Sequence, residues 1–140
     1  MSKKSDKIAA LIASCRGGDL DAHYLAYFAC FNQARFFEAH DALEALWLAD
    51  REGANGPFYQ GLIQLAGAFV HLQKDRLRPA AALFKLARAR LEKYPPVHER
   101  LEVRFVLALI DEWLGRLEKN SFAVNPLAAE PAPQLHLRAR

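Results

Sequence analysis

The spacing of apolar residues constrains the fold of this chain more than any other feature of its sequence. From about residue 19 to residue 119, apolar side chains recur at intervals of three and four residues, which is the period of amphipathic helices. No segment alternates apolar and polar residues between hairpin turn signals, which is the pattern of half-buried strands. The sequence therefore predicts an all-α fold.

Glycine and proline residues divide this helical pattern into about five main helices and one short N-terminal helix. Gly17-Gly18 ends the short helix, and Pro95-Pro96 ends a later one. Pro57 and Pro79 suit the first turns of two further helices. The predicted helices cover residues 6–16, 19–31, 35–50, 57–74, 79–94 and 97–119. Because the connections between them are short, we expect an antiparallel helical bundle.

The segment after residue 119 has a different composition. Pro126, Pro131 and Pro133 stand among alanines there, which argues against a regular element. We predict a single-domain bundle over residues 1–119, followed by a Pro/Ala-rich C-terminal tail over residues 120–140. This tail either packs over the bundle or extends into solvent.

Composition and charge narrow the class of protein. The chain has 140 residues, of which 52% are hydrophobic and 25% charged, and no apolar run is long enough to cross a bilayer. We therefore expect a cytoplasmic protein without a membrane partner. Residues 19–52 carry a local charge of −5 and residues 76–119 carry +4. No nucleic-acid motif accompanies the basic segment, so attraction between helices or ordinary solvated surface explains the asymmetry better than nucleic-acid binding.

A polar stripe interrupts the most apolar of the predicted helices. Gln60, Gln64 and His71 recur at the i, i+4, i+11 spacing, which puts them within one narrow arc of the helix. Gly67 and Ala68 fill the positions between them. We expect the rest of this helix to lie inside the bundle, where an unpaired amide or imidazole costs about 1–3 kcal/mol. The stripe is therefore predicted to have polar partners.

The preceding helix offers such partners at His40 and Glu44, one turn apart on the shoulder of its inward face. A histidine and a carboxylate at this spacing can hydrogen-bond to each other or hold a cation between them. Trp47 follows on the same helix, whereas Asp41 is expected to point away. The expected polar cluster, buried between the two helices, comprises His40, Glu44, Gln60, Gln64 and His71.

Three interpretations of this cluster stay open. It is a structural network that fixes helix register, with each polar atom satisfied by a neighbour or by water. Alternatively, it is a ligand pocket or a hydrolase site in which His40 is the general base and Glu44 orients it. In the third interpretation, His40, Glu44 and His71 hold a divalent transition metal. The separation of Gln64 from His71, about 10 Å along the helix, counts against a shared ion.

Two long motifs resemble a known family. FFEAHDALEALW, which runs from Phe36 to Trp47, precedes FYQGLIQLA, which runs from Phe58 to Ala66, and His71 follows. In this order they resemble the uncharacterised prokaryotic family named domain of unknown function 309, over about residues 24–94. The resemblance implies a small all-helical cytoplasmic bundle, and it implies no catalytic residues because the family has no established activity. The family's signature positions fall on His40, Glu44, Trp47, Gln60, Gly61 and Gln64, and Asp41 replaces a glutamate that is common there.

We predict a non-enzymatic helical bundle that binds a small ligand or another protein, with a metal-dependent or acid–base hydrolase as the alternative. His40 and Glu44 are the candidate catalytic residues of that alternative. No cofactor is firmly implied, and a divalent transition metal held by His40, Glu44 and His71 stays open. The candidate ligand-binding residues are His40, Glu44, Trp47, Gln60, Gln64 and His71.

Surplus apolar residues on two helices suggest self-association. Tyr24, Tyr27 and Phe28 on one helix, with Phe37 and Leu48 on the next, exceed what one helix face can bury. A homodimer would cover them.

Overall fold

Five long helices, α2 to α6, make up most of the fold. The computed structural model describes residues 3–139, with side chains described from residue 8 onward. Its elements are α1 (Lys3–Ser14), α2 (Ala22–Phe31), α3 (Phe36–Ala49), α4 (Gly56–Gln73), α5 (Leu77–Leu91), β1 (Val97–His98), β2 (Leu101–Glu102), α6 (Val103–Lys119) and α7 (Pro126–Ala129). None of the described helices is both long and apolar enough to cross a bilayer. The predicted all-α bundle is confirmed.

A group of aromatic rings at the centre of the bundle joins all five long helices. Phe69 of α4 lies in the middle, and its ring centroid is 4.9 to 5.7 Å from those of Phe31, Phe36, Phe84 and Trp113. These four residues belong to α2, α3, α5 and α6 respectively. All five side chains are at most 3% exposed. Since aromatic pairs contribute about 0.5–1.5 kcal/mol beyond their area burial, this group holds the helices in one arrangement.

Two glycines bring α5 close to α4. A β-carbon added at Gly61 would lie 2.9 Å from Cγ of Leu91 and 3.3 Å from Cβ of Arg90. One added at Gly67 would lie 3.0 Å from Cδ1 of Leu83. Because any larger residue at position 61 would meet the branch carbon of Leu91, glycine at this position allows the close helix packing.

The last long helix begins six residues later than the sequence pattern predicts. Residues 97–102 form a β-hairpin, in which Val97 pairs with Glu102 and His98 pairs with Leu101, and α6 starts at Val103. The prediction of a helix from residue 97 is therefore wrong.

The hairpin turn lacks the residues that usually mark such turns. Glu99 and Arg100 have φ values of 49° and 61°, as in a type I′ turn, for which glycine and asparagine are preferred. Contacts from elsewhere in the chain hold this turn. The hydroxyl of Tyr24 donates to the carbonyl of Glu99 at 2.9 Å, and Arg100 forms an ion pair with Asp19. Tertiary contacts thus stabilise a turn that local sequence does not favour.

The segment after residue 119 contains a short helix that the sequence argued against. Oδ1 of Asn125 accepts a hydrogen bond from the amide of Leu127 at 3.0 Å, which caps α7, and Pro126 suits its first turn. Nδ2 of Asn125 donates to the carbonyl of Leu72 at 2.6 Å and so fixes this segment to the end of α4. Further along, Leu135 is only 1% exposed, so the chain packs over the bundle here.

The aromatic residues of α2 do not form an uncovered surface. Tyr24, Tyr27 and Phe28 are at most 5% exposed, because α2 is enclosed by its neighbours, and the hydroxyl of Tyr27 donates to the carbonyl of Leu62 at 2.6 Å. The argument for a dimer from these three residues is therefore wrong. Phe37 and Leu48 are 43% and 53% exposed, and self-association through α3 stays a prediction.

The glycine contact between α4 and α5 predicts a substitution effect. We expect Gly61→Ala to lower the free energy of unfolding by about 1–2 kcal/mol, because overpacking costs about 1–3 kcal/mol and the gain in helix propensity offsets up to about 1 kcal/mol of it. Gly115→Ala is the matched control, since nothing lies near a β-carbon on this exposed residue of α6. The control should stabilise by up to about 1 kcal/mol. Urea unfolding measures both, and equal effects would contradict the close contact.

Candidate functional site

The polar stripe of α4 faces a groove at the surface of the bundle. This groove has a volume of about 290 Å³ and lies over α4, with walls from α3 and α5. We call it the stripe groove. Its lining residues are Phe37, His40, Ile63, Gln64, Gly67, Val70, His71 and Leu83.

The expectation of a buried polar cluster is wrong. Among the residues whose side chains are described, no polar or charged residue is fully buried. The five members of the expected cluster, His40, Glu44, Gln60, Gln64 and His71, are all half-buried. The orientation of α4 explains this. Gly67 and His71 lie two residues before and after Phe69, so they lie about 160° around the helix from the ring at the core.

His40 contacts two carboxylates of its own helix. Its Nε2 atom lies 3.6 Å from Oε2 of Glu44, and its Nδ1 atom lies 3.5 Å from Oδ1 of Asp41. Asp41 points away from the stripe, as expected, and lines a different groove, but it contacts one member of the expected cluster, His40. At these distances and with partly exposed side chains, these contacts contribute at most about 1 kcal/mol. The hydrolase hypothesis for His40 and Glu44 stays a prediction.

Glu44 and Gln64 line different grooves. Glu44 lies with Asp41 and His23 in a second groove beside Ile8 of α1, whereas Gln64 lies in the stripe groove. A single hydrogen-bonded network across α3 and α4 is therefore not formed. His40 lines the stripe groove while it contacts Glu44.

The partner of Gln64 lies on α5, not on α3. Nε of Arg90 donates to Oε1 of Gln64 at 3.2 Å. The sequence pattern did not single out Arg90, because its contact with Gln64 depends on how α5 packs against α4. Trp47 and Gln60 are outside the lining of the stripe groove, and the guanidinium of Arg51 lies 5.1 Å from the ring centroid of Trp47.

His71 carries an unpaired polar atom. Its Nδ1 atom is buried and has no hydrogen-bond partner within the described part of the chain. Burial lowers the pKa of His71, and the positive charges of Arg76 and Lys74 lower it further. The imidazole is therefore neutral at neutral pH and presents either a donor or an acceptor at Nδ1.

The structure does not bring the three candidate metal ligands, His40, Glu44 and His71, together in one group. Over residues 8–139, no group of three or more histidine, cysteine, aspartate or glutamate side chains is placed to hold an ion. His40 and His71 line the same groove, and Glu44 does not. The metal hypothesis for these three residues stays a prediction.

A second polar cluster, at the hairpin end of the bundle, was missed. His98 lies within the helix predicted from residue 97. Its Nε2 atom is 2.6 Å from Oδ1 of Asn55, and its ring packs against Phe58 and Tyr94 at 4.7 and 4.8 Å. The hydroxyl of Tyr94 accepts from the amide of Phe58 and donates to the carbonyl of Ala54. These contacts hold the loop before α4 against the hairpin, so the cluster has a structural role.

Comparison with known proteins identifies one family. Residues 24–83 match the family model described as Domain of unknown function (DUF309). No curated protein and no solved structure matches the chain. The matched segment runs from α2 into α5 and includes every residue that lines the stripe groove. Residues 24–83 of this chain are therefore similar to the DUF309 family, the family that its two motifs resemble.

Proposed function

We propose that the protein binds a small, mainly apolar molecule in the stripe groove, and that His71 makes the polar contact. The observation that supports this function is that His71 lines the groove while its buried Nδ1 atom has no hydrogen-bond partner among the described residues. A buried polar atom without a partner costs about 1–3 kcal/mol. A ligand that forms a hydrogen bond with this atom would offset that cost.

The size and lining of the groove fit a compact ligand. Small-molecule pockets typically enclose about 300–1,000 Å³, with apolar walls and a few polar groups. The stripe groove, at about 290 Å³, lies just below this range. Its apolar side chains are Phe37, Ile63, Val70 and Leu83, and its polar ones are His40, Gln64 and His71.

The charges around the groove favour a neutral polar group on the ligand. The lowered pKa of His71 keeps its ring neutral, and a hydroxyl can both donate to and accept from a neutral imidazole. The carboxylates of Asp41 and Glu44 lie within 3.6 Å of the His40 ring, and the guanidinium of Arg90 contacts Gln64, so charges of both signs lie near the groove and neither an anion nor a cation is favoured. We therefore propose an apolar molecule with one hydroxyl or amide group.

Three probes of similar shape test this function: toluene, benzyl alcohol and benzoate. We expect benzyl alcohol to shift the amide signals of Gly67 and Val70 in the NMR spectrum and to bind about 2–10 times more tightly than toluene, since one hydrogen bond contributes about 0.5–1.5 kcal/mol. In His71→Leu the preference for benzyl alcohol should disappear. His23→Leu, outside the stripe groove, is the matched control and should keep it. Equal binding of both probes to the unsubstituted protein would refute the role of His71.

The unpaired atom also predicts a pH-dependent stability. His71→Leu should raise the free energy of unfolding by about 1 kcal/mol at pH 7.5, because it removes a buried polar atom. The pKa of His71 is lower in the folded than in the unfolded state, so the unfolded state takes up more protons as the pH falls below about 6.5. The difference between the two proteins should therefore widen from pH 7.5 to pH 5.5.

Thermal and urea unfolding across this pH range measure the difference. Arg76→Gln provides an independent check, since removing this positive charge should raise the pKa of His71 in an NMR titration. A difference in stability that stays constant with pH would show that Nδ1 is accessible to solvent.

A further inference from the structure

Asn32, at the C-terminal end of α2, holds the chain at residue 135 through main-chain atoms. Its Nδ2 atom donates to the carbonyl of Leu135 at 2.8 Å, and its Oδ1 atom accepts from the amide of Leu135 at 2.7 Å. The carbonyl of Asn32 also accepts from Nε2 of Gln134 at 3.3 Å. Because both side-chain bonds go to the backbone of one residue, this contact recognises a peptide backbone and not a particular side chain.

The side chains around residue 135 alternate between core and solvent. Leu135 is 1% exposed and Leu137 is half-buried against the core. Gln134, His136 and Arg138 are exposed. A period of two residues is typical of peptides bound in an extended conformation, where alternate side chains enter pockets. In this chain, leucine occupies both of the covered positions, 135 and 137.

The hairpin provides the second anchor for this segment. The amide of Arg138 donates to the carbonyl of Arg100 at 2.7 Å, and its guanidinium lies 3.8 Å from Oε1 of Glu102. Residues 134–138 therefore connect the end of α2 to the hairpin. Hydrogen bonds to the main chain of the segment hold both of its ends, and the contact of Arg138 with Glu102 adds a charge interaction at the hairpin end.

The segment leaves part of its surface uncovered. A cavity of about 220 Å³ lies beside Leu135 and His136, next to Leu101, and Phe105 at its edge is 53% exposed. A larger apolar side chain at the position of His136 would cover Phe105 and bury more apolar area. The chain's own segment therefore leaves part of this apolar surface uncovered.

We propose that this surface is a peptide-binding groove for an extended segment of another protein, with leucines two residues apart followed by a basic residue. Residues 134–138 occupy the groove as an intramolecular competitor until such a segment displaces them. Asn32 supplies the backbone contact, Leu101 and Phe105 line the apolar part, and Glu102 pairs with the basic residue.

Competition with a synthetic peptide of the sequence of residues 133–139 tests the proposal on the full-length, ¹⁵N-labelled protein. Excess unlabelled peptide should shift the amide signals of Leu135 and Arg138 to those of a free chain and leave Gly67 unchanged. A fluorescent form of the peptide should bind Leu135→Asp at least about tenfold more tightly than the unsubstituted protein, because an attached competitor acts at millimolar effective concentration. The same peptide with aspartate in place of its first leucine is the control and should not bind.

Adding Asn32→Leu to Leu135→Asp should weaken peptide binding at least about tenfold, since the backbone contact is lost. If Leu135→Asp does not fold, Arg138→Glu loosens the exposed end of the segment and takes its place. The proposal is overturned if a variant that melts like the unsubstituted protein binds no peptide. It is also overturned if the unsubstituted protein dimerises with concentration through this segment, because the occupant would then be a second copy.

Discussion

The contact of Phe69 with four other aromatic rings determines the arrangement of the whole bundle. Each long helix contributes one ring to this group, so the group fixes the rotation of every helix about its own axis. For α4, placing Phe69 at the centre turns Gly67 and His71 toward the surface. The core and the stripe groove are thus two sides of one helix, and the core determines where the groove lies.

The five long helices could be predicted from the sequence because their apolar period and their glycine and proline boundaries are local signals. The hairpin at residues 97–102 could not, since Glu99 and Arg100 give no turn signal and distant residues, Tyr24 and Asp19, hold them. The packing of the C-terminal segment could not be predicted either. It depends on Asn32, which is about one hundred residues away in the chain.

The candidate site was predicted in part. Helical spacing put His40, Gln64 and His71 on facing sides of neighbouring helices, and these three residues line one groove. The sequence could not show that Glu44 lines another groove, or that Arg90 pairs with Gln64, because both depend on how the helices pack. The expectation of burial failed for a related reason. The apolar residues around α4 show how much of the helix surface can be buried. They do not show that neighbouring helices cover the helix on every side.

The spacing of the walls of the stripe groove and its polar lining depend on different residues of α4. Gly61 is not among the lining residues, yet it controls how closely α5 approaches α4 and thereby the spacing of the walls. His71 lines the groove and leaves that spacing unchanged. Under the proposed function, selectivity for the size of a ligand would therefore depend in part on a residue outside the groove. A larger residue at this position would then change the size of the molecule that fits and leave the polar contact of His71 in place.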